Sequence, residues 1–154
     1  VSTTEAEPGD FDWTVRAAVY RGFAESRAPP SVAALAGALE VEPRDVQGSL
    51  RRLEAGHHLT LLPDGSGVWM AHPFSALPTA YAVDTPRGRY WANCAWDALG
   101  VPAILGLDGQ IEARCALSGE PLGFGVRDGR RVGDAGIVHL VVPPRDAWRD
   151  IGFT

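Results

Sequence analysis

The stretch His72-Pro73-Phe74-Ser75-Ala76-Leu77-Pro78-Thr79 constrains this chain most, because it interrupts both helical and strand periodicity and splits the sequence into two unlike halves. Ahead of it, apolar residues recur at helical spacing. Behind it, they come in short runs separated by Gly, Pro and Asp. This predicts an α+β protein, with a helical N-terminal domain over residues 11–72, a linker at 73–79 that packs through Phe74 and Leu77, and a small, mainly antiparallel sheet domain over 80–154. Residues 1–10, VSTTEAEPGD, carry no period and are expected to form a lead-in.

In the first half, Trp13, Ala17, Tyr20 and Phe23 or Ala24 share one helical face, and Pro29-Pro30 ends that helix, giving a span of about 11–26. Ser31 caps a second helix carrying Val32, Leu35, Ala36 and Leu39. A third, over 44–55, carries Val46, Leu50 and Leu53 and ends at Gly56. Residues 59–62 and 68–71 flank a Pro63-Asp64-Gly65 turn and read as a hairpin. Three helices and a hairpin make a winged-helix-like pattern, which would use Arg44, Arg51 and Arg52 as DNA contacts. A net charge of −5 over 154 residues, with no block of Lys or Arg, weighs against that use and against anionic membranes. A small-molecule partner fits better.

In the second half, strands are expected at 80–83, 110–116, 122–126 and 137–142, with 127–136 as a loop. Between them lies Tyr90-Trp91-Ala92-Asn93-Cys94-Ala95-Trp96-Asp97-Ala98-Leu99-Gly100. If this run is helical, Cys94 and Asp97 stand at i and i+3 on one face, so a thiol and a carboxyl can reach one ligand. A thiolate is the strongest ordinary protein nucleophile and a ligand for soft metals. The plainer reading of Cys94 is a buried, inert thiol. An aspartate on a covered helix must find partners or hold a proton, and a carboxyl that holds a proton can act as a general acid.

Cys115 alternates with Ala113 on a strand, and packing beneath the site is the favoured reading over a second sulfur ligand. Two cysteines are too few for a stapled secreted framework. A Cys94–Cys115 bridge stays open as an alternative to two free thiols. The first ten residues lack a basic, then apolar, secretory pattern, and no run of about 18 apolar residues occurs, so the cytoplasm is the expected location. His57, His58, His72 and His139 form no metal spacing with one another or with the cysteines. No phosphate loop, Ser-His-Asp set or nucleophile elbow is present, and Gly123-Phe124-Gly125 sits in a strand pattern without a following helix. No nucleotide cofactor is expected.

Taken in order, the winged-helix-like front, Pro73-Phe74-Ser75 to Pro78-Thr79, Cys94-Ala95-Trp96-Asp97-Ala98-Leu99, Val101-Pro102-Ala103-Ile104-Leu105-Gly106 and Cys115-Ala116-Leu117-Ser118-Gly119-Glu120-Pro121 resemble the organomercurial (alkylmercury) lyases of bacterial mercury resistance and detoxification. The resemblance implies that Cys94 bonds mercury, that Asp97 delivers a proton to the leaving carbon and is a possible metal ligand, and that Cys115 is structural. It implies no required cofactor, Hg(II) as bound product, and an organomercurial or other thiophilic small molecule as substrate. Cellular thiols or a mercuric reductase would remove the product, and neither nucleic acid nor membrane is an expected partner. In that family another catalytic cysteine follows a segment resembling Asp150-Ile151-Gly152-Phe153-Thr154. The sheet domain is therefore expected to be incomplete at its C-terminus, which leaves the activity of this chain open. The alternatives are a metal-responsive winged-helix regulator using Cys94 and Cys115, and a non-catalytic or differently specialised homologue.

Overall fold

The computed structural model describes residues 7–140 and 142–152. Residues 1–6 of the expected lead-in, Val141 of the expected last strand, and residues 153–154 lie outside them. Three helices open the fold: α1 (Asp10–Ser26), α2 (Val32–Leu39) and α3 (Pro43–Ala55). Val46, Leu50 and Leu53 form the buried stripe of α3 as expected, but the buried stripe of α1 is Val15, Val19 and Phe23, and the expected face is corrected: Trp13 and Ala17 are exposed and Tyr20 is only partly buried, because the β-branched valines face the core. Ser31 caps α2 by accepting from the Ala34 N–H at 3.1 Å, and Pro43 starts α3 where its missing N–H costs nothing.

Asp12 in α1 bonds back to the Gly9 N–H at 3.0 Å and takes a forked pair of hydrogen bonds from Arg52 of α3, the shortest at 2.8 Å. The Arg52 guanidinium, opposed by burial, holds the Asp12 carboxyl down to about 2. This pair locks two helices together. It also occupies one of the three arginines that a DNA-contact reading would need free.

Among the described residues, eight strands follow in a single antiparallel sheet of order β1-β2-β3-β5-β4-β6-β7-β8. They are β1 (Thr60–Leu61), β2 (Val68–Ala71), β3 (Phe74–Ser75), β4 (Ala82–Thr85), β5 (Gly88–Ala92), β6 (Gly109–Arg114), β7 (Pro121–Arg127) and β8 (Arg130–Gly133). Strand β3 lies within residues 73–79, pairing Met70 with Ser75 on one side and Phe74 with Ala92 on the other, so the sheet runs unbroken through that stretch. Phe74 is buried, whereas Leu77 is 45% exposed.

Helix α4 (Ala95–Leu105) packs across β4, β5, β6 and β7. It comes close because Gly109 on β6 has no side chain: a Cβ there would lie 2.8 Å from Cγ of Pro102. One core joins the halves, with Phe23 of α1 stacked on Phe74 of β3 at 5.2 Å.

Several expectations are corrected. The strand placed at 80–83 begins at Ala82. Residues 127–136 are not a plain loop, because Asp128 and Gly129 take positive φ (50° and 69°) and turn the chain tightly from β7 into β8. The strand expected from 137 onward is absent over 137–140, where Ile137 is 96% exposed; β8 has already taken the place beside β7, and the apolar alternation there finds no core. His139 accordingly lies on no strand. The helix carrying Asp97, expected to be covered, is covered only in part: Trp96 is 71% exposed. No helix among the described residues is long and apolar enough to cross a membrane.

Candidate active site

The site forms where β5 hands over to α4. Cys94 is not helical. It is the N-cap of α4, with extended backbone (φ −148°, ψ 179°), and its carbonyl accepts the first intrahelical bond from Ala98 at 2.9 Å. Asp97 is the third helical residue, so its side chain folds back toward the cap. Sγ of Cys94 lies 3.7 Å from Oδ2 of Asp97, a weak S–H···O contact. A carboxylate in the first turn is also stabilised by the helix dipole.

The same Oδ2 is 3.1 Å from Nδ1 of His72, which follows β2. The His72 carbonyl accepts from the Tyr20 hydroxyl at 2.8 Å, and Arg16 donates to that hydroxyl at 3.2 Å. Asn93 donates to the Phe74 carbonyl at 3.2 Å, with its Nδ2 3.3 Å from His72 Nδ1. Its Oδ1 is buried with no hydrogen-bond partner among the described residues. The Trp148 ring, on a 3-10 helix (Pro144–Arg149), stands edge-on to His72 at 5.9 Å and stacks on His57 at 4.4 Å. Against the back of the site, Gly100 of α4 meets Pro73: a Cβ there would be 3.1 Å from the proline Cβ.

The electrostatics suit a thiol kept protonated until something displaces the proton. Burial pushes the Cys94 thiol up, and the Asp97 charge adds to this, against the backbone N–H groups of Asp97 and Trp96. Burial likewise raises the Tyr20 hydroxyl, with Asp97 contributing. Among the described residues no group of three or more His, Cys, Asp and Glu side chains could hold a metal ion.

Both cysteines are free thiols. Cys94 and Asp97 are brought together, but Cys115 is elsewhere. It opens the turn between β6 and β7, its N–H bonded to the Glu120 carbonyl at 2.9 Å and its carbonyl accepting from Gly119 at 2.8 Å. The interior strand position expected for it is corrected: β6 ends at Arg114. Its polar neighbour is Ser118, whose hydroxyl draws the Cys115 thiol below its ordinary value.

His72 and Asn93 were not legible as site residues, since their approach depends on β3 registering beside the end of β5. An open cleft of about 510 Å³ lies on the α1 and C-terminal α4 side, walled by Trp13, Tyr20, Phe74, Ile104 and Leu105. It shares Tyr20 with the site's support but includes neither Cys94 nor Asp97.

The site thus holds a half-buried thiol beside a carboxyl at the head of a helix laid on an antiparallel sheet. The chain belongs to the alkylmercury lyase family: the family model described as MerB, alkylmercury lyase, matches residues 74–153, just over half of the sequence. A solved structure titled the crystal structure of the mercury-bound form of MerB2 superposes with a TM-score of 0.69 at 20% sequence identity, over 82% of this chain and 60% of that one. That likeness is one of fold, and the present chain spans about three-fifths of the solved relative's length.

Proposed function

We propose that this protein cleaves carbon–mercury bonds, with Cys94 as the mercury-capturing nucleophile and Asp97 as the proton carrier. The observation that carries this reading is the 3.7 Å contact between Cys94 Sγ and Asp97 Oδ2. Membership of the alkylmercury lyase family and the mercury-bound title of the structural relative support it.

Mercury binds thiolate far more strongly than oxygen ligands, as a soft metal should. When R–Hg⁺ meets Cys94, the S–Hg bond forms and the thiol proton passes to Asp97, overcoming the burial that otherwise keeps the sulfur protonated. Sulfur ligation pushes electron density toward the carbon. The C–Hg bond then breaks with its electron pair on carbon, which takes the proton from Asp97 and leaves as R–H. Hg²⁺ remains on the Cys94 thiolate, and Asp97 is again a carboxylate. A second sulfur is needed to carry the ion away, and cellular thiols or a mercuric reductase would supply it. The protein itself needs no cofactor, and the cytoplasm, where such thiols are abundant, is the proposed setting.

The test is benzene release from phenylmercury. The chain should release one benzene per Cys94 at least, whereas Cys94→Ser and Asp97→Asn should not; release by these variants equal to that of the parent overturns the assignment.

A further inference from the structure

We propose that His72 is a positioning residue, whose Nδ1–H fixes Oδ2 of Asp97 against the sulfur of Cys94. The inference rests on the lyase reading for its catalytic consequence, but not for its geometry.

A single oxygen, Oδ2 of Asp97, faces both Cys94 Sγ at 3.7 Å and His72 Nδ1 at 3.1 Å. A carboxylate only accepts, so the contact at Nδ1 is a hydrogen bond only if that nitrogen carries the proton. A carboxylate at the third residue of a helix is favoured in its charged form by the helix dipole, so Nδ1 carries the proton and donates to Oδ2. Asn93 Nδ2, 3.3 Å from the same nitrogen, then makes no hydrogen bond to it and directs its N–H to the Phe74 carbonyl at 3.2 Å.

The backbone that carries the imidazole is fixed, and one aromatic ring borders the imidazole itself. Tyr20 of α1 grips the His72 carbonyl at 2.8 Å, the Trp148 ring edge borders the ring at 5.9 Å, and Pro73 is pressed against Gly100 of α4. A free Asp97 side chain has two torsions with which to turn toward the first-turn amides or water. Bound to a fixed imidazole, it has neither choice. The proton it receives from Cys94 is thereby kept within reach of the carbon on the sulfur-bound mercury, and a misplacement of about 1 Å can cost on the order of 100-fold in rate.

The stereochemistry supplies a test. An Asn at this position places its amide nitrogen where Nδ1 stands, whereas Gln places its nitrogen nearer the position of Nε2. His72→Asn should therefore cleave phenylmercury within about threefold of the parent, while His72→Gln and His72→Phe should fall by roughly 10- to 100-fold in the benzene-release step with phenylmercury capture by Cys94 unchanged. Gln and Phe variants as fast as the parent, or an Asn variant as slow as Phe, would overturn the proposal. Two-bond proton–nitrogen correlation spectra of the 15N-labelled chain give a readout free of mercury. They should show His72 protonated at Nδ1 in the parent and altered in Asp97→Asn; an unprotonated Nδ1 overturns the proposal. If the parent releases no benzene, the lyase reading fails, and the spectra still decide whether His72 holds Asp97.

Discussion

Asp97 reaches Cys94 because Cys94 caps its helix and does not belong to it: the sulfur sits at the N-cap, the carboxyl at the third helical residue, and Oδ2 folds back to within 3.7 Å. Cap and third residue commonly exchange side-chain and backbone bonds. Here the place of a capping hydroxyl is held by a thiol, and no side-chain cap bond is made. The helix start itself brings the two side chains together.

The two thiols should differ sharply in reactivity. Burial raises Cys94, while the Ser118 hydroxyl lowers the partly exposed Cys115 at the turn after β6. Because the thiolate is the nucleophile, iodoacetamide near neutral pH should label Cys115 faster, by about tenfold. Labelling of Cys115 should also level off at a lower pH than that of Cys94. Peptide mass spectrometry after timed quenching reads both, and faster labelling of Cys94 would contradict the placement of the two side chains.

Acid should loosen the helical front through Asp12. Its carboxyl is held at about 2 by Arg52, below its ordinary value of 3.8, so this stability is complete above about pH 4 and is lost as pH falls toward 2. Since Arg52 is half exposed, solvent screening discounts the pair, and Asp12→Asn should cost about 1–2 kcal/mol at neutral pH. Urea unfolding at pH 7 and pH 2.5 checks this: the gap between variant and parent should narrow at the lower pH without closing, because the folded carboxyl is still largely ionised there.

Gly100 should resist enlargement. A valine there would press on Pro73, already 3.1 Å from the position of an added Cβ, and overpacking of this kind costs about 1–3 kcal/mol. Because Pro73 follows His72, Gly100→Val should also slow benzene release while leaving capture of phenylmercury intact. Thermal unfolding and a single-turnover assay measure the two effects; a destabilised but fully active variant would separate Gly100 from the site.

The parts of this molecule legible in its sequence are those set by local rules. The extent of α1, the stripe of α3, the Ser31 cap, the turn at Pro63-Asp64-Gly65 and the nearness of Cys94 and Asp97 all follow from spacings of four residues or fewer, whereas the same spacing puts the buried face of α1 on Trp13 and Ala17 when packing chooses Val15 and Val19. The Asp128-Gly129 turn was equally local, yet the apolar alternation from 137 onward drew the strand away from it. His72 and Asn93 were beyond reach for another reason. They meet Asp97 through the pairing of Phe74 with Ala92, and register between strands is decided by the whole buried face. The interior position expected for Cys115 comes from extending the alternation over 110–116, two residues past Arg114, where β6 ends and the chain turns.

Intact-mass analysis of a Cys115→Ser chain mixed with phenylmercury, quenched at intervals, tests most directly whether Asp97 protonates a carbon held on Cys94. The account predicts a phenylmercury adduct on Cys94 that converts to a mercury-only adduct as benzene appears. In the same chain carrying Asp97→Asn, the phenylmercury adduct should accumulate and persist, its conversion slowed by about 100-fold or more. Conversion at the parental rate without the carboxyl, or mercury bound at no site on Cys94, would contradict it.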